Sequence, residues 1–227
     1  MGIFRKVVRW VWTSPCVVFF RKCINTFRAT AWLLGKLQCE PVRRQEDALA
    51  WSGAGGYKAE FYATLDEDAA VLIDYVTAAA RKNESILDIC CNQGRFLLEL
   101  RRKGFTDLHG FDIMGPAIEA LRQSPDYDSK YIHVGHCLAQ DYFKDKSDNC
   151  FDWAITHGAT IELIHPAFDI FGELRRTIRK GMILVLDEKG QSYPRFYRLL
   201  HRMNGFEIVA TRKLHLDKLD LIHSMKR

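Results

Sequence analysis

From Ser85 onward, apolar runs of four to seven residues alternate with stretches of helical period. The first run, Ile86-Leu87-Asp88-Ile89, predicts a buried strand over 85–90. It is followed by a turn of small residues ending at Gly94. A helix over 94–103 comes next, with Phe96, Leu97, Leu98 and Leu100 apolar and Gly104 in the C′ position. The same alternation predicts strands at 107–112, 131–135, 151–156 and 181–187. Helices are expected over 116–123, where Pro116 suits the first turn, over 166–179 and over 194–203. The segment after 135 reads as a loop. The run Gly181-Met182-Ile183-Leu184-Val185-Leu186-Asp187 is apolar throughout, as a strand covered on both faces must be. Phe206–Thr211 and Leu219–Ser224 follow as two strands close in sequence, an antiparallel edge hairpin. The seven runs give an α/β fold, a doubly wound, mostly parallel seven-stranded sheet.

The pattern changes ahead of that core. Asp66 can cap a helix running to about Lys82, with Ala69, Leu72, Ile73 and Val76 inward. Residues 41–84 therefore read as a linker or lid (Gly-rich at Ser52-Gly53-Ala54-Gly55-Gly56) followed by a leading helix. Residues 1–40 read as a basic amphipathic helical extension. Ile3, Phe4, Val7, Val8 and Val11 form one stripe, and Ser14-Pro15 opens a second helix. Its apolar face is expected at Phe20, Ile24, Phe27, Ala31 and Leu34. The α/β domain proper spans 85–227.

Charge sharpens this division. The net charge of +5 is the balance of +8 over residues 1–44 and −3 over the remainder. The basic character belongs to the extension, and a uniformly basic nucleic-acid surface is not indicated. A basic, Trp- and Phe-rich extension fits peripheral contact with the inner face of a membrane. Packing on the domain or on a second subunit is the alternative, and a targeting peptide is a third. The uncharged run Trp10–Phe20 is too short to cross a bilayer. Seven cysteines without paired CxxC spacing argue against a disulfide framework or a bound metal and for reduced, cytoplasmic thiols.

The candidate chemistry clusters at predicted strand ends. Asp88 lies at the first turn, and Asp112 closes the second strand about 20 residues beyond it. That spacing places a carboxylate beside the ribose of an adenosine held at the first helix N-terminus. The turn Asp88-Ile89-Cys90-Cys91-Asn92-Gln93-Gly94 lacks the GxGxxG that brings a backbone close to a pyrophosphate. A nicotinamide dinucleotide is therefore disfavoured, and a cofactor without phosphate fits better. Past the fourth strand, His157, Glu162 and His165 are candidate bases, with Glu188 beyond the fifth. Tyr57, ahead of the turn, could close over a ligand.

The stretch from Ile86 to Leu97 resembles the first motif of class I S-adenosylmethionine-dependent methyltransferases, commonly LDxGCGxGxF. Asp112 is similar to the acid ending their second strand. Asp148-Asn149-Cys150-Phe151-Asp152 resembles the turn into their fourth, and Leu174–Leu186 the entry to their fifth. The resemblance covers about residues 57–225. It implies a Rossmann-like methyltransferase fold, S-adenosylmethionine as cofactor, and transfer of its methyl group to a small-molecule, sugar or lipid-linked acceptor, with O-methylation favoured. By the same resemblance Asp88, Cys90, Asn92 and Gly94 shape the methionine end, and Asp112 holds the ribose. Ile113, His136 and Cys137 border the adenine, and Thr156 with His157 and Gly158 borders the methyl group. Cys90 and Asn92 stand where the family has glycines, and His136 where it often has an acid. A non-catalytic methyltransferase-like scaffold is therefore the alternative.

Overall fold

The computed structural model describes residues 14–26, 64–158, 160–166, 168–187, 193–214 and 218–227. Tyr57, Glu188, the stripe at Ile3–Val11 and the Gly-rich linker lie outside them. A helix α1 (Pro15–Thr26) comes first, then α2 (Glu67–Ala79). Strands and helices alternate thereafter: β1 (Ile86–Ile89), α3 (Arg95–Arg102), β2 (Leu108–Asp112), α4 (Gly115–Arg122), β3 (Ile132–His136), α5 (Ala139–Lys144) and β4 (Phe151–His157). The chain continues through α6 (Ile170–Thr177), β5 (Ile178–Leu186), α7 (Tyr197–Met203), β6 (Phe206–Leu214) and β7 (Leu219–Lys226).

The strands form one sheet in the order β3-β2-β1-β4-β5-β7-β6. The first five pair in parallel, and β7 runs antiparallel between β5 and β6. The expected hairpin is present, but of its two strands only β6 is an edge: β7 inserts beside β5, with four of its eight residues buried. Every residue of β1 is buried because alternate side chains enter two separate cores. Ile86 packs with α2, α3 and α4, through Leu72, Val76, Leu97, Leu100, Ile118 and Leu121. Leu87 and Ile89 pack with α5, α6 and α7 on the other face, through Phe143, Phe171, Leu174 and Tyr197. At about 25 cal/mol per Å2 of apolar area removed from water, these two layers are the main force holding the sheet.

Local signals explain the helix starts. The Asp66 side chain accepts a hydrogen bond from the Ala69 N–H at 2.8 Å, and Ala69, Leu72, Ile73 and Val76 are all buried. Asp169 caps α6 by accepting from Gly172 N–H. That cap sits inside the segment expected to be helical from Pro166, so α6 begins only at Ile170. It also ends early, because Ile178 already pairs with Phe151 as the start of β5. The six-residue α5 occupies the segment expected to be a loop. Ala139 and Phe143 anchor it to the second core, too few apolar positions for a periodic signal.

Helix α1 forms at Ser14-Pro15 as expected but docks by the other face. Lys22 and Thr26 are buried, while Phe20 is 67% exposed. The Thr26 hydroxyl accepts from Phe196 N–H at 3.0 Å, and the Asn25 amide donates to Pro194 O at 3.1 Å. No described helix is long and apolar enough to cross a membrane.

Candidate active site

Strand order reverses at β1, whose parallel neighbours are β2 and β4. A crevice at the carboxyl ends of these strands is where open α/β sheets bind ligands. A cavity of about 170 Å3 lies there. Its walls come from the β1–α3 turn (Asp88, Cys90, Cys91, Asn92, Arg95, Phe96) and the β2–α4 turn (Asp112, Ile113, Met114). Leu138–Gln140 and the segment after β4 (His157, Gly158, Leu163, Ile164, His165, Phe168) complete it.

The β1–α3 turn takes a left-handed course that a glycine-rich motif would take more cheaply. Cys90 (φ 57°), Asn92 (φ 50°) and Gly94 (φ 69°) all have positive φ. Asn tolerates that region, and Cys90 accepts a strain of about 1–2 kcal/mol. Two glycines let the turn pack closely, Gly110 on β2 beneath it and Gly94 against α4. A Cβ on Gly110 would stand 2.9 Å from Cys91 Sγ, and one on Gly94 would stand 2.6 Å from both Leu121 methyls. The Cys90 and Cys91 thiols are pushed well above their ordinary pKa, chiefly by burial and then by the neighbouring carboxylates. They are neutral lining groups rather than thiolates.

Asp112 is fixed by its own backbone surroundings. One carboxylate oxygen accepts from Asn92 N–H at 2.8 Å and the other from Met114 N–H at 2.9 Å. The first of these bonds joins the two turns across the cavity floor. Each oxygen keeps a lone pair for a ligand hydroxyl. Asp88 is different. It is buried at 2% exposure, and its Oδ2 has no hydrogen-bond partner among the described residues. Burial raises its pKa well above the usual carboxylate range; Arg95 opposes that shift and Asp112 adds to it. An orphaned buried carboxylate is costly unless something cationic or donating completes it.

Arg95 opens α3, where a cation opposes the helix dipole. It is held there by donating to Thr64 O at 3.0 Å and by Asp66 Oδ2 at 3.8 Å, which ties α2 to the site. Its second terminal nitrogen lies 3.3 Å from His157 Nδ1. A guanidinium can only donate, so Nδ1 is the acceptor and the neutral imidazole carries its proton on Nε2. Burial, with the Arg95 charge, pushes His157 down to about 4. At neutral pH this side chain is an uncharged donor, not the near-neutral base its residue type suggested.

The other expected site residues divide. Ile113 and His165 line the cavity, and the His165 ring packs edge-on to Tyr193. His136 and Cys137 do not line it. β3 stays in register with β2 through His136, and Cys137 N–H still bonds Asp112 O at 3.0 Å, so the chain turns inward only at Leu138. The His136 ring instead approaches Ile113 O at 3.1 Å from the exposed side. Thr156 is buried, donating to Ile89 O at 2.9 Å and paired with the Thr160 hydroxyl. Gly94 acts through the turn's backbone, not as a wall. Glu162 faces away: its carboxylate accepts from Asp187 N–H and Thr160 N–H, and burial raises its pKa to about 7. Cys91, Arg95, Phe96, Phe111, Met114, Leu138–Gln140, Leu163, Ile164 and Phe168 join the site without having been singled out. Arg95 and Phe96 could have been inferred from their place at the first helix N-terminus.

The protein-family model of a methyltransferase domain matches residues 61–224. No curated protein matches the sequence. Among solved structures, magnesium protoporphyrin IX methyltransferase of Synechocystis PCC 6803, with bound S-adenosylmethionine, is similar at a TM-score of 0.57 and 15% identity, covering 70% of this chain and 77% of that one. A geranyl diphosphate methyltransferase in complex with S-adenosylmethionine gives 0.58 and 11%, covering 70% and 84%. A Pyrococcus horikoshii OT3 protein gives 0.55 and 16%, covering 76% and 100%. With the family match running from α2 to β7 over this sheet order, the chain belongs to the methyltransferase-domain family, as a class I S-adenosylmethionine-dependent methyltransferase.

Proposed function

We propose that this methyltransferase methylates an oxygen of a small, largely apolar acceptor, lipid-linked or isoprenoid-like, with a sugar hydroxyl as the more polar variant. The observation that carries this reading is the division of the cavity lining. The carboxylates, Asp88 and Asp112, lie in the last residues of β1 and β2, whereas the segment after β4 contributes Leu163, Ile164, His165 and Phe168. The residues fit the cofactor. The orphaned Asp88 oxygen suits an ammonium, the open lone pairs of Asp112 suit ribose hydroxyls, and Ile113, Met114 and Leu138 suit an adenine face. When bound, S-adenosylmethionine supplies a sulfonium methyl open to in-line attack by an acceptor oxygen.

The chain's own part is alignment and exclusion of water, the main requirements of such a transfer. Phe96, Leu163, Ile164 and Phe168 would hold the acceptor in an apolar enclosure. His157 would orient it through the Nε2–H that the Arg95 bond dictates. His165 is then the base for a hydroxyl proton among the wall residues, in place of Glu162, whose oxygens are committed to backbone. The basic residues 1–40 would bring the protein to the inner face of a membrane. The scaffold alternative rested on Cys90, Asn92 and His136; Cys90 and Asn92 adopt the left-handed backbone that the missing glycines would supply, and His136 does not line the cavity.

The test is methyl transfer from deuteromethyl-labelled S-adenosylmethionine to a lipid extract, followed by mass spectrometry of the organic and aqueous phases. Label in an organic-phase ether or ester, absent with Asp112→Ala, is the expected result. Label confined to aqueous products, or to nitrogen or carbon, overturns the acceptor assignment.

A further inference from the structure

Helix α1 buries polar residues and leaves an apolar stripe exposed. Its described buried residues are Lys22 and Thr26, with Asn25 also turned to the body of the protein. Of its apolar residues, Val17, Val18, Cys23 and Ile24 are half-buried, while Cys16, Phe19 and Phe20 are exposed, Phe19 at 61%, with one edge against the Phe196 ring at 5.6 Å, and Phe20 at 67%. The three exposed residues lie at i, i+3 and i+4, so they form one stripe. An amphipathic helix packed on its own domain does the reverse. Two neighbouring aromatic rings with more than half of their surface in water favour an apolar medium on that side.

The inner side of α1 grips one short segment. Thr26 Oγ1 accepts from Phe196 N–H, Asn25 donates to Pro194 O, and the Lys22 ammonium lies 5.4 Å from the Phe196 ring centroid. That segment in turn holds the cavity wall. Arg195, 3% exposed, donates from one terminal nitrogen to Ile161 O at 2.6 Å and from the other to Ile164 O. Tyr193 N–H donates to Glu162 O at 2.9 Å, and the Tyr193 ring packs on His165. Ile164 and His165 are wall residues of the cavity. One chain of bonds therefore runs from the exposed Phe stripe through residues 193–196 to the wall.

We infer that α1 lies on an anionic lipid surface through Cys16, Phe19 and Phe20, and that its hold on residues 193–196 couples lipid contact to the order of the acceptor wall. The charge of residues 1–44, +8 against −3 for the rest of the chain, selects an anionic surface over a neutral one or a second, equally basic copy. The inference deepens the proposed function, since an acceptor resident in the bilayer would meet the enzyme where the wall is set. Arg195 is a positioning residue in this scheme, acting through Ile161 and Ile164.

The test uses the full chain and vesicles of phosphatidylcholine with or without phosphatidylglycerol. Flotation should show binding only to the anionic vesicles, and Phe19→Glu with Phe20→Glu should weaken it by at least about tenfold. Hydrogen exchange of the 160–166 amides should slow on vesicle binding in the wild type. In an Asn25→Ala, Thr26→Val variant the vesicles should still bind, but that slowing should be lost. The thermal shift produced by S-adenosylmethionine should persist in both variants; its absence from the wild type would indict the cofactor site rather than α1. Flotation unaffected by the glutamates, or a concentration-dependent dimer abolished by them, overturns the lipid assignment. Binding without any change at 160–166 overturns the coupling.

Discussion

Replacing Asp88 with Asn should make the unliganded protein more stable and its cofactor binding weaker, two effects of opposite sign from one atom. The folded-state pKa of Asp88 is raised by burial above the ordinary 3.8. The folded protein thus holds this proton more tightly than the unfolded chain. Its contribution is fully favourable below that ordinary value and is lost as pH rises toward and through the folded pKa. Asn cannot ionise, so the variant should gain on the wild type as pH increases. A buried polar group without a partner costs about 1–3 kcal/mol, more when charged. A gain of about 1 kcal/mol at pH 8.5 corresponds to a Tm rise of roughly 2–4 °C for a chain of this size, shrinking toward zero at about pH 3, below the ordinary 3.8. Against that, a charge-assisted hydrogen bond to the cofactor ammonium is worth about 1.5–3 kcal/mol. Its loss weakens binding by roughly tenfold to a hundredfold. Scanning calorimetry at the two pH values reads the first effect, and titration calorimetry with S-adenosylmethionine the second. In the wild type, binding should also release a proton as Asp88 ionises, visible as a dependence of the enthalpy on the buffer. A variant less stable than wild type at every pH, or one whose affinity is unchanged within about twofold, would refute the assignment of Asp88 as the ammonium's partner.

Asp112→Ala should abolish the thermal shift given by S-adenosylmethionine. It should also lower the unliganded stability by about 2 kcal/mol or more, read by urea unfolding, because the Asn92 and Met114 N–H groups lose their acceptor. Gly94→Ala should cost at least about 2 kcal/mol, a Tm loss of roughly 4–8 °C, since its φ of 69° disfavours any Cβ and that Cβ would meet Leu121 at 2.6 Å. His157 has a folded-state pKa near 4 against an ordinary 6.5, so its contribution is intact above pH 6.5 and is lost as pH falls toward 4. His157→Gln should flatten that acid limb in urea unfolding curves at pH 7 and 4.5, and should lower kcat more than it raises KM.

The residues legible in the sequence were those whose role is set by position along the chain. Asp88 ends a strand and Asp112 closes the next, and the parallel β1–β2 pairing brings their two turns together whatever the side chains between them do. The cap at Asp66 and the inward stripe of α2 are equally local. What sequence spacing did not give was direction. His136 and Cys137 fall one step short of the cavity because β3 keeps its register with β2 to the end, a fact settled by pairing rather than by residue type. Glu162 sits where a catalytic acid could sit, yet two backbone N–H groups claim its oxygens, and a polar residue at a strand end carries no mark of which use it serves. His157 lies on the wall as expected, but its tautomer follows from Arg95, 62 positions away. The apolar face of α1 was expected at Phe20 and Ile24, but its hydrophobic period did not say whether that face meets a membrane or packs on the domain; Phe20 is 67% exposed. The same reasoning separates the two halves of the site. The half proposed to hold the cofactor is built by strand ends and backbone N–H groups, and Cys90 and Asn92 take the left-handed course that glycine adopts most cheaply. The half proposed to take the acceptor is lined by Leu163, Ile164, His165 and Phe168, beside backbone held by Arg195 and Glu162. Substitutions that alter acceptor choice while sparing cofactor binding should therefore concentrate between Thr160 and Phe168.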